Sequence, residues 1–237
     1  MIKVLSELYN ATFKKNRGAA AQGFIRPTLG QYFMTHKDFT EVEMDISRDY
    51  IWTADVFPTE AVYPFNTKGD YAPILQDSGL YFNINMGLRT YSRIIPEATS
   101  DVGMTVKFEV RTNNNPTNWA RASCYIFTNS IIGSESKSLC LAVTRDGIYN
   151  WAGDINPSNY YLVNCLVFNS FLWQISESSW KLFINDQTFP IIITSHTAIW
   201  SNELTFGDGT SHTTPSNTFA EWRLVGARAG IWGWNDF

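Results

Sequence analysis

The chain has 237 residues, of which 15% are aromatic and only 17% charged, and its net charge is −4 at pH 7. That balance suits strands and buried sheet faces more than solvated helices. It argues against a nucleic-acid surface, which needs clustered Lys and Arg to neutralise phosphates. No apolar run approaches the roughly 20 residues of a membrane span.

Residues 1–30 are expected to form an arm. Ile2, Leu5, Leu8 and Tyr9 give a brief helical periodicity, and the stretch that follows combines Lys14, Lys15 and Arg17 with small residues and no packing pattern. Such an arm is either bland or a device for docking on an acidic neighbour in an assembly. Residues 31–78 read as a short β segment and linker. Val42, Met44 and Ile46 alternate with Glu41, Glu43 and Asp45, a second strand starts at Ile51 and ends before Pro58, and Pro58, Pro64, Gly69, Asp70 and Pro73 mark a loop. The β segment either forms a small subdomain or adds edge strands to the main sheets.

From Gly79 the chain reads as strand after strand, at 80–85, 88–95, 103–112, 122–129, 138–144, 147–151, 160–168, 170–176, 179–185, 189–194, 202–206 and 219–226. Regular spacing with turn residues between, and no repeat of fixed period, is the pattern of a sandwich or barrel. Near the end, Trp180, Leu182 and Ile184 share one face, Asn185 and Asp186 supply a turn, and Leu204 and Phe206 share the next face. Gly207, Asp208 and Gly209 are expected to turn, after which Ala220, Trp222 and Leu224 point one way and Glu221 and Arg223 the other.

This order of strands and turns, with Gly103 to Arg111 as an early strand and Ser138 to Tyr149 as a central hairpin, resembles the concanavalin A-like lectin/glucanase superfamily, laminin G-like modules included. The resemblance covers about residues 79–234. It implies an all-β, two-sheet antiparallel jelly-roll sandwich over 79–237, preceded by the arm and the short extra β segment.

Cys124, Cys140 and Cys165 fit no zinc spacing and read as buried small hydrophobes, with one disulfide and one free thiol as the alternative. Glu41, Glu43 and Asp45 place alternate carboxylates about 6.6 Å apart, near the spacing of paired glycosidase acids. Laminarinase-type members of the resembling superfamily carry Glu, Asp, Glu within the sandwich. Here the order is Glu, Glu, Asp, ahead of the sandwich, so a solvated strand face is expected and no catalytic residue is assigned. His36, His196 and His212 are isolated, and no metal or cofactor is expected. Several members of the superfamily hold calcium with loop carboxylates, but Asp208, even with Asp186 or Asp154, fits simple turn chemistry better.

Sugar recognition needs aromatic faces and amides together in loops. Asn113, Asn114, Asn115, Asn118 and Trp119 form one such group, and Trp151, Asp154, Asn156, Asn159 and Tyr160 another. Asn118, Trp119, Trp151, Asp154 and Tyr160 are therefore the candidate carbohydrate contacts. The terminal stretch with Trp232, Trp234 and Phe237 is expected either to pack back on a sheet or to dock on a partner.

The first residues do not resemble a signal peptide. A lectin-like protein that reaches the outside by lysis suggests a non-enzymatic structural or attachment component of a phage virion. Its expected partners are other virion proteins or further copies of itself, and a host cell-surface glycan, without nucleic acid or membrane insertion. The alternatives are a free, extracellular carbohydrate-binding module and a glycan hydrolase or lyase.

Overall fold

Alternation of buried and exposed side chains accounts for the architecture. The structure is a computed structural model that describes residues 49–83, 88–114, 124–128, 139–151, 160–195, 200–208 and 218–236, with only the backbone described at Tyr125, Phe127, Asn150, Trp151 and Tyr160. These residues all belong to one unit, Arg48–Phe237. The strands are β1 (Tyr50–Thr53), β2 (Asn66–Lys68), β3 (Ile74–Gln76), β4 (Gly79–Asn83), β5 (Arg89–Ile94), β6 (Met104–Thr112), β7 (Tyr125–Thr128) and β8 (Leu139–Thr144). They continue with β9 (Gly147–Trp151), β10 (Tyr160–Leu162), β11 (Asn169–Ile175), β12 (Ser179–Ile184), β13 (Ile192–Ser195), β14 (Glu203–Asp208) and β15 (Phe219–Ala229).

They form two antiparallel sheets. The eight-stranded sheet runs β13-β12-β11-β6-β15-β4-β3, with β1 also on β15, and the seven-stranded sheet runs β10-β9-β8-β7-β14-β5-β2. This is the expected all-β jelly-roll sandwich, and each strand read from Gly79 onward has its counterpart. The boundary expected at residue 79 is not a boundary in the sheets. Strands β1, β2 and β3 precede it, yet they pair with β15, β5 and β4. Short, Pro-punctuated segments read as a linker, but they find partners on strands from far along the chain. The strand read at 39–47 lies outside the described residues.

The core is aromatic and joins the sheets. Phe206 of the seven-stranded sheet stacks on Trp52 and Tyr91, both at 5.5 Å between ring centroids, and meets Trp222 of the opposite sheet at 5.2 Å. Each such pair contributes about 0.5–1.5 kcal/mol beyond the area it buries. Trp180, Leu182 and Ile184 are buried as their alternation requires, and Asn185 and Asp186 make the turn in the left-handed region, at φ 48° and 59°.

Two details of the closing strands differ from the sequence reading. Gly207 and Asp208 do not turn; they are the last residues of β14, opposite Thr90 and Arg89. In β15 the register shifts between Trp222 and Leu224, so Arg223 bulges out. Trp222 faces the core, but beyond the bulge it is Val225, not Leu224, that is buried beside Phe108. One extra residue exchanges the two faces of the strand. The bulge carbonyl of Arg223 accepts the Ala54 N–H at 3.0 Å, just where β1 joins.

The terminal segment packs back on the outer side of the eight-stranded sheet. The Trp232 N–H donates to Thr105 Oγ1 at 2.9 Å, its carbonyl accepts from Gln174 Nε2 at 2.8 Å, and Lys107 lies over the Trp234 ring. Arg228 secures the segment from β15 by bonding Asp49 and the Asp236 carbonyl while stacking on Trp232.

Candidate functional site

Strand alternation leaves one sheet face turned away from the core, and in the seven-stranded sheet that face is built from small and hydroxyl-bearing residues. In β14, Leu204 and Phe206 point into the core, so Glu203, Thr205 and Gly207 lie on the other side. In β5, Tyr91 points in and Thr90 and Ser92 out. In β8, Leu139, Leu141 and Val143 join the core whereas Cys140 and Ala142 do not. In β9, Ile148 is buried in the core and half-buried Tyr149 alternates with it.

Register assembles these residues into two rows across the sheet. One runs from Ser92 through Thr205, Phe127 and Cys140 to Trp151. The other runs from Thr90 through Gly207, Tyr125, Ala142 and Tyr149 to Tyr160. Six strands at the usual spacing make the second row about 24 Å long. Trp151 and Tyr160, chosen from the sequence as sugar contacts, are thus brought to the end of β9 and the start of β10, at one edge of the sheet.

Thr205 is the unusual member of this face. It is 2% exposed, and its Oγ1 is buried with no hydrogen-bond partner among the described residues. A buried hydroxyl without a partner costs about 1–3 kcal/mol, and at 2% exposure this one is covered by the chain itself. Sequence reading missed it because threonine is ordinary in a strand. Its place between Leu204 and Phe206 was the available signal.

The asparagine run behaves differently from the expectation. Asn113 Oδ1 accepts the Phe219 N–H at 2.7 Å, extending the β6–β15 ladder. Asn114 is 3% exposed, and its carbonyl accepts the Arg145 N–H at 2.8 Å. Both belong to the scaffold, because the end of β6 needs partners for its backbone. Asn118, Trp119 and Asp154 lie outside the described residues, as do Lys14, Lys15 and Arg17, the acids Glu41, Glu43 and Asp45, and the three histidines. Asp208 is fully buried at the end of β14 rather than set in a turn. Among the described residues no three His, Cys, Asp or Glu side chains converge as metal ligands.

No protein-family model matches the sequence, and no curated protein matches it. Solved structures do. A β-1,3-1,4-glucanase (lichenase) from a mouse hindgut metagenome superposes with a TM-score of 0.52 at 7% identity, over 76% of this chain and 99% of that one. A structure described as a native glycosidic hydrolase gives 0.52 at 8% identity, over 78% and 98%. Botulinum neurotoxin type C gives 0.48 at 13% identity over 74% of this chain, which spans 46% of the toxin chain. What the lichenase and the glycosidic hydrolase share with this chain is the two-sheet β-sandwich fold. At such identities the fold alone is common, and the chemistry of the sandwich described here rests on its own residues.

Proposed function

We propose that this protein is a non-enzymatic glycan-binding sandwich whose ligand lies along the non-core face of the seven-stranded sheet. The observation that carries this reading is Thr205, a hydroxyl on that face with no hydrogen-bond partner among the described residues; at 2% exposure it meets a ligand only once the cover over that face gives way. Sugars supply hydroxyls that both donate and accept, and Tyr149, two residues before Trp151 and opposite Tyr160, offers an aromatic surface for a sugar ring. The likeness to a glucanase and a glycosidic hydrolase supports glycan as the ligand class. In its narrower form the proposal makes the sandwich the outward part of a phage attachment protein, joined to the particle or to further copies by the segment that holds Lys14, Lys15 and Arg17.

The direct test is calorimetric titration of the full chain with mixed-linkage β-1,3-1,4-glucan oligosaccharides and with N-acetylglucosamine oligomers. Thr205→Val should weaken binding about five-fold, the equivalent of one hydrogen bond of about 1 kcal/mol. The same change should leave stability equal or slightly raised, since an unpartnered hydroxyl is replaced by a methyl of the same shape. Unchanged affinity in Thr205→Val would remove the residue from the site, and absence of binding to either probe would sink the glycan reading. Release of reducing ends that stops in Glu203→Gln would convert the proposal into a hydrolase.

The assembly role has its own test, light scattering of the full chain beside a version that begins at Arg48. The cut belongs there because a later one would remove β1, which is paired with β15. An oligomer that becomes a folded monomer on truncation is the expected result. A monomeric full chain would defeat self-assembly through this segment.

A further inference from the structure

The outer face of the eight-stranded sheet carries a platform of planar groups that shares no residue with the face holding Thr205. Leu80, Phe82, Ala220, Trp222 and Val110 point into the core, so Tyr81, Glu221 and Arg111, which alternate with them, lie on the outer side. Register sets these three in one row across β4, β15 and β6, about 10 Å long over two strand spacings. Tyr81 stacks on Phe219 at 5.5 Å between ring centroids, and the Arg111 guanidinium lies 5.8 Å from the Phe219 centroid and 4.9 Å from that of Phe168. The bulge in β15 adds the last member. It takes Arg223 out of the alternation, and its guanidinium lies 3.8 Å from the same Phe168 ring.

Two like charges therefore share one ring, and their acids do not screen them equally. Arg111 gives Nε and Nη2 to Glu221, which is fully buried. Arg223 gives Nη1 to Glu109 at 3.2 Å and Nε to the Ser78 carbonyl at 3.3 Å. Arg111 Nη1 and Arg223 Nη2 are left without a partner among the described residues. The arginine side chains are 35% and 46% exposed, Glu109 is 23% exposed and Glu221 not at all. Solvent thus meets two guanidiniums and a single carboxylate.

We propose that this platform is a second binding site, one that takes a carboxylate-bearing sugar. A carboxylate accepts two N–H donors in one plane, and here the stacking on Phe168 fixes the guanidiniums that supply them. One negative charge matches the excess of one positive charge that faces solvent. The half-buried rings of Tyr81, Phe168 and Phe219 offer flat apolar surface to the C–H groups of a sugar ring, and the Tyr81 hydroxyl can bond its hydroxyls. An extended acidic peptide would use the arginines but not the row of rings, so the sugar is the better fit.

The experiment is calorimetric titration of the full chain with galacturonic acid oligomers, beside neutral galactose oligomers and a glutamate oligopeptide. The acidic sugar should bind, and added sodium chloride should weaken it. Arg223→Gln should lower the affinity about ten-fold, the loss of one charge-assisted hydrogen bond. Glu109→Gln removes the carboxylate that competes for Arg223 and should raise the affinity about three-fold, a gain that a misfolded variant would not give. Lys181→Gln, which removes an exposed cation of β12, should bind like the wild type. No binding of galacturonic acid oligomers, equal binding of galactose oligomers, or an affinity that neither Arg223→Gln nor Glu109→Gln moves would overturn the site. A loss in Lys181→Gln as large as in Arg223→Gln would reduce it to general charge attraction, and equal binding of the glutamate peptide would overturn the sugar as its ligand.

Discussion

Gly207→Ala should destabilise the fold by about 3 kcal/mol or more, combining backbone strain and overpacking of about 1–3 kcal/mol each. Gly207 has φ 124°, in the region that side chains avoid. A β-carbon built there would lie 2.5 Å from the Arg89 carbonyl oxygen, 3.3 Å from the Thr90 α-carbon and 3.4 Å from the Phe82 ring. Neither of the first two neighbours can yield, since both are backbone of the paired strand β5. The clash would push β5 and β14 apart near the β2 end of the seven-stranded sheet, beside Thr205. Urea unfolding followed by tryptophan fluorescence measures the loss. Gly233→Ala is the control, because its added carbon meets only the Asp236 carboxylate at 3.4 Å, and a change within about 0.5 kcal/mol is expected. A Gly207→Ala protein as stable as the wild type would show that the two strands do not approach as closely as described.

The second large effect is expected at Arg111. On the outer side of the eight-stranded sheet Glu221 is fully buried, held by Arg111 Nε and Nη2, both at 2.6 Å, and by the Ser78 hydroxyl. Arg111 is itself 35% exposed and lies over the Phe168 ring. Arg111→Met would leave a buried carboxylate with a hydroxyl as its remaining side-chain partner, at a cost of about 2–4 kcal/mol after discounting for the exposure of the arginine. Removing the charge as well should recover most of the loss, because a buried ion pair and a well-packed apolar pair of similar volume are often nearly equal in stability. The Arg111→Met, Glu221→Leu double variant therefore tests the account. If it is no more stable than Arg111→Met alone, the ion pair is not what the single change disrupts.

Much of the fold was legible because burial on one face imposes period two. Trp180, Leu182 and Ile184, or Leu204 and Phe206, declare their face without any knowledge of their partners. The strands before residue 79 were harder. Asn66–Lys68 and Ile74–Gln76 are three residues long, exposed or half-buried, and set among prolines, so nothing local distinguishes an edge strand from a loop. The candidate site was legible only in part. Trp151 and Tyr160 were noticed as aromatics bordering a loop, but their rows with Cys140 and Tyr149 depend on register between strands. Asn113 looked like a free amide and became scaffold once Phe219 supplied a backbone N–H to satisfy, whereas Asn114 is held through its main-chain carbonyl by Arg145 while its side-chain Nδ2 has no partner among the described residues.

The sequence by itself determined the all-β class, the order and approximate limits of the strands from Gly79, and the turn at Asn185 and Asp186, because each follows from short-range pattern and backbone preference. Tertiary structure alone decided which strands pair, and with that the rest. It placed Gly207 inside a strand because β5 comes close, and it turned Leu224 outward and Val225 inward because Arg223 bulges where β1 joins β15. It returned the terminal tryptophans to a sheet, and it left the Thr205 hydroxyl buried and unpartnered. Contacts between residues far apart in the chain set these features, and no local pattern encodes them.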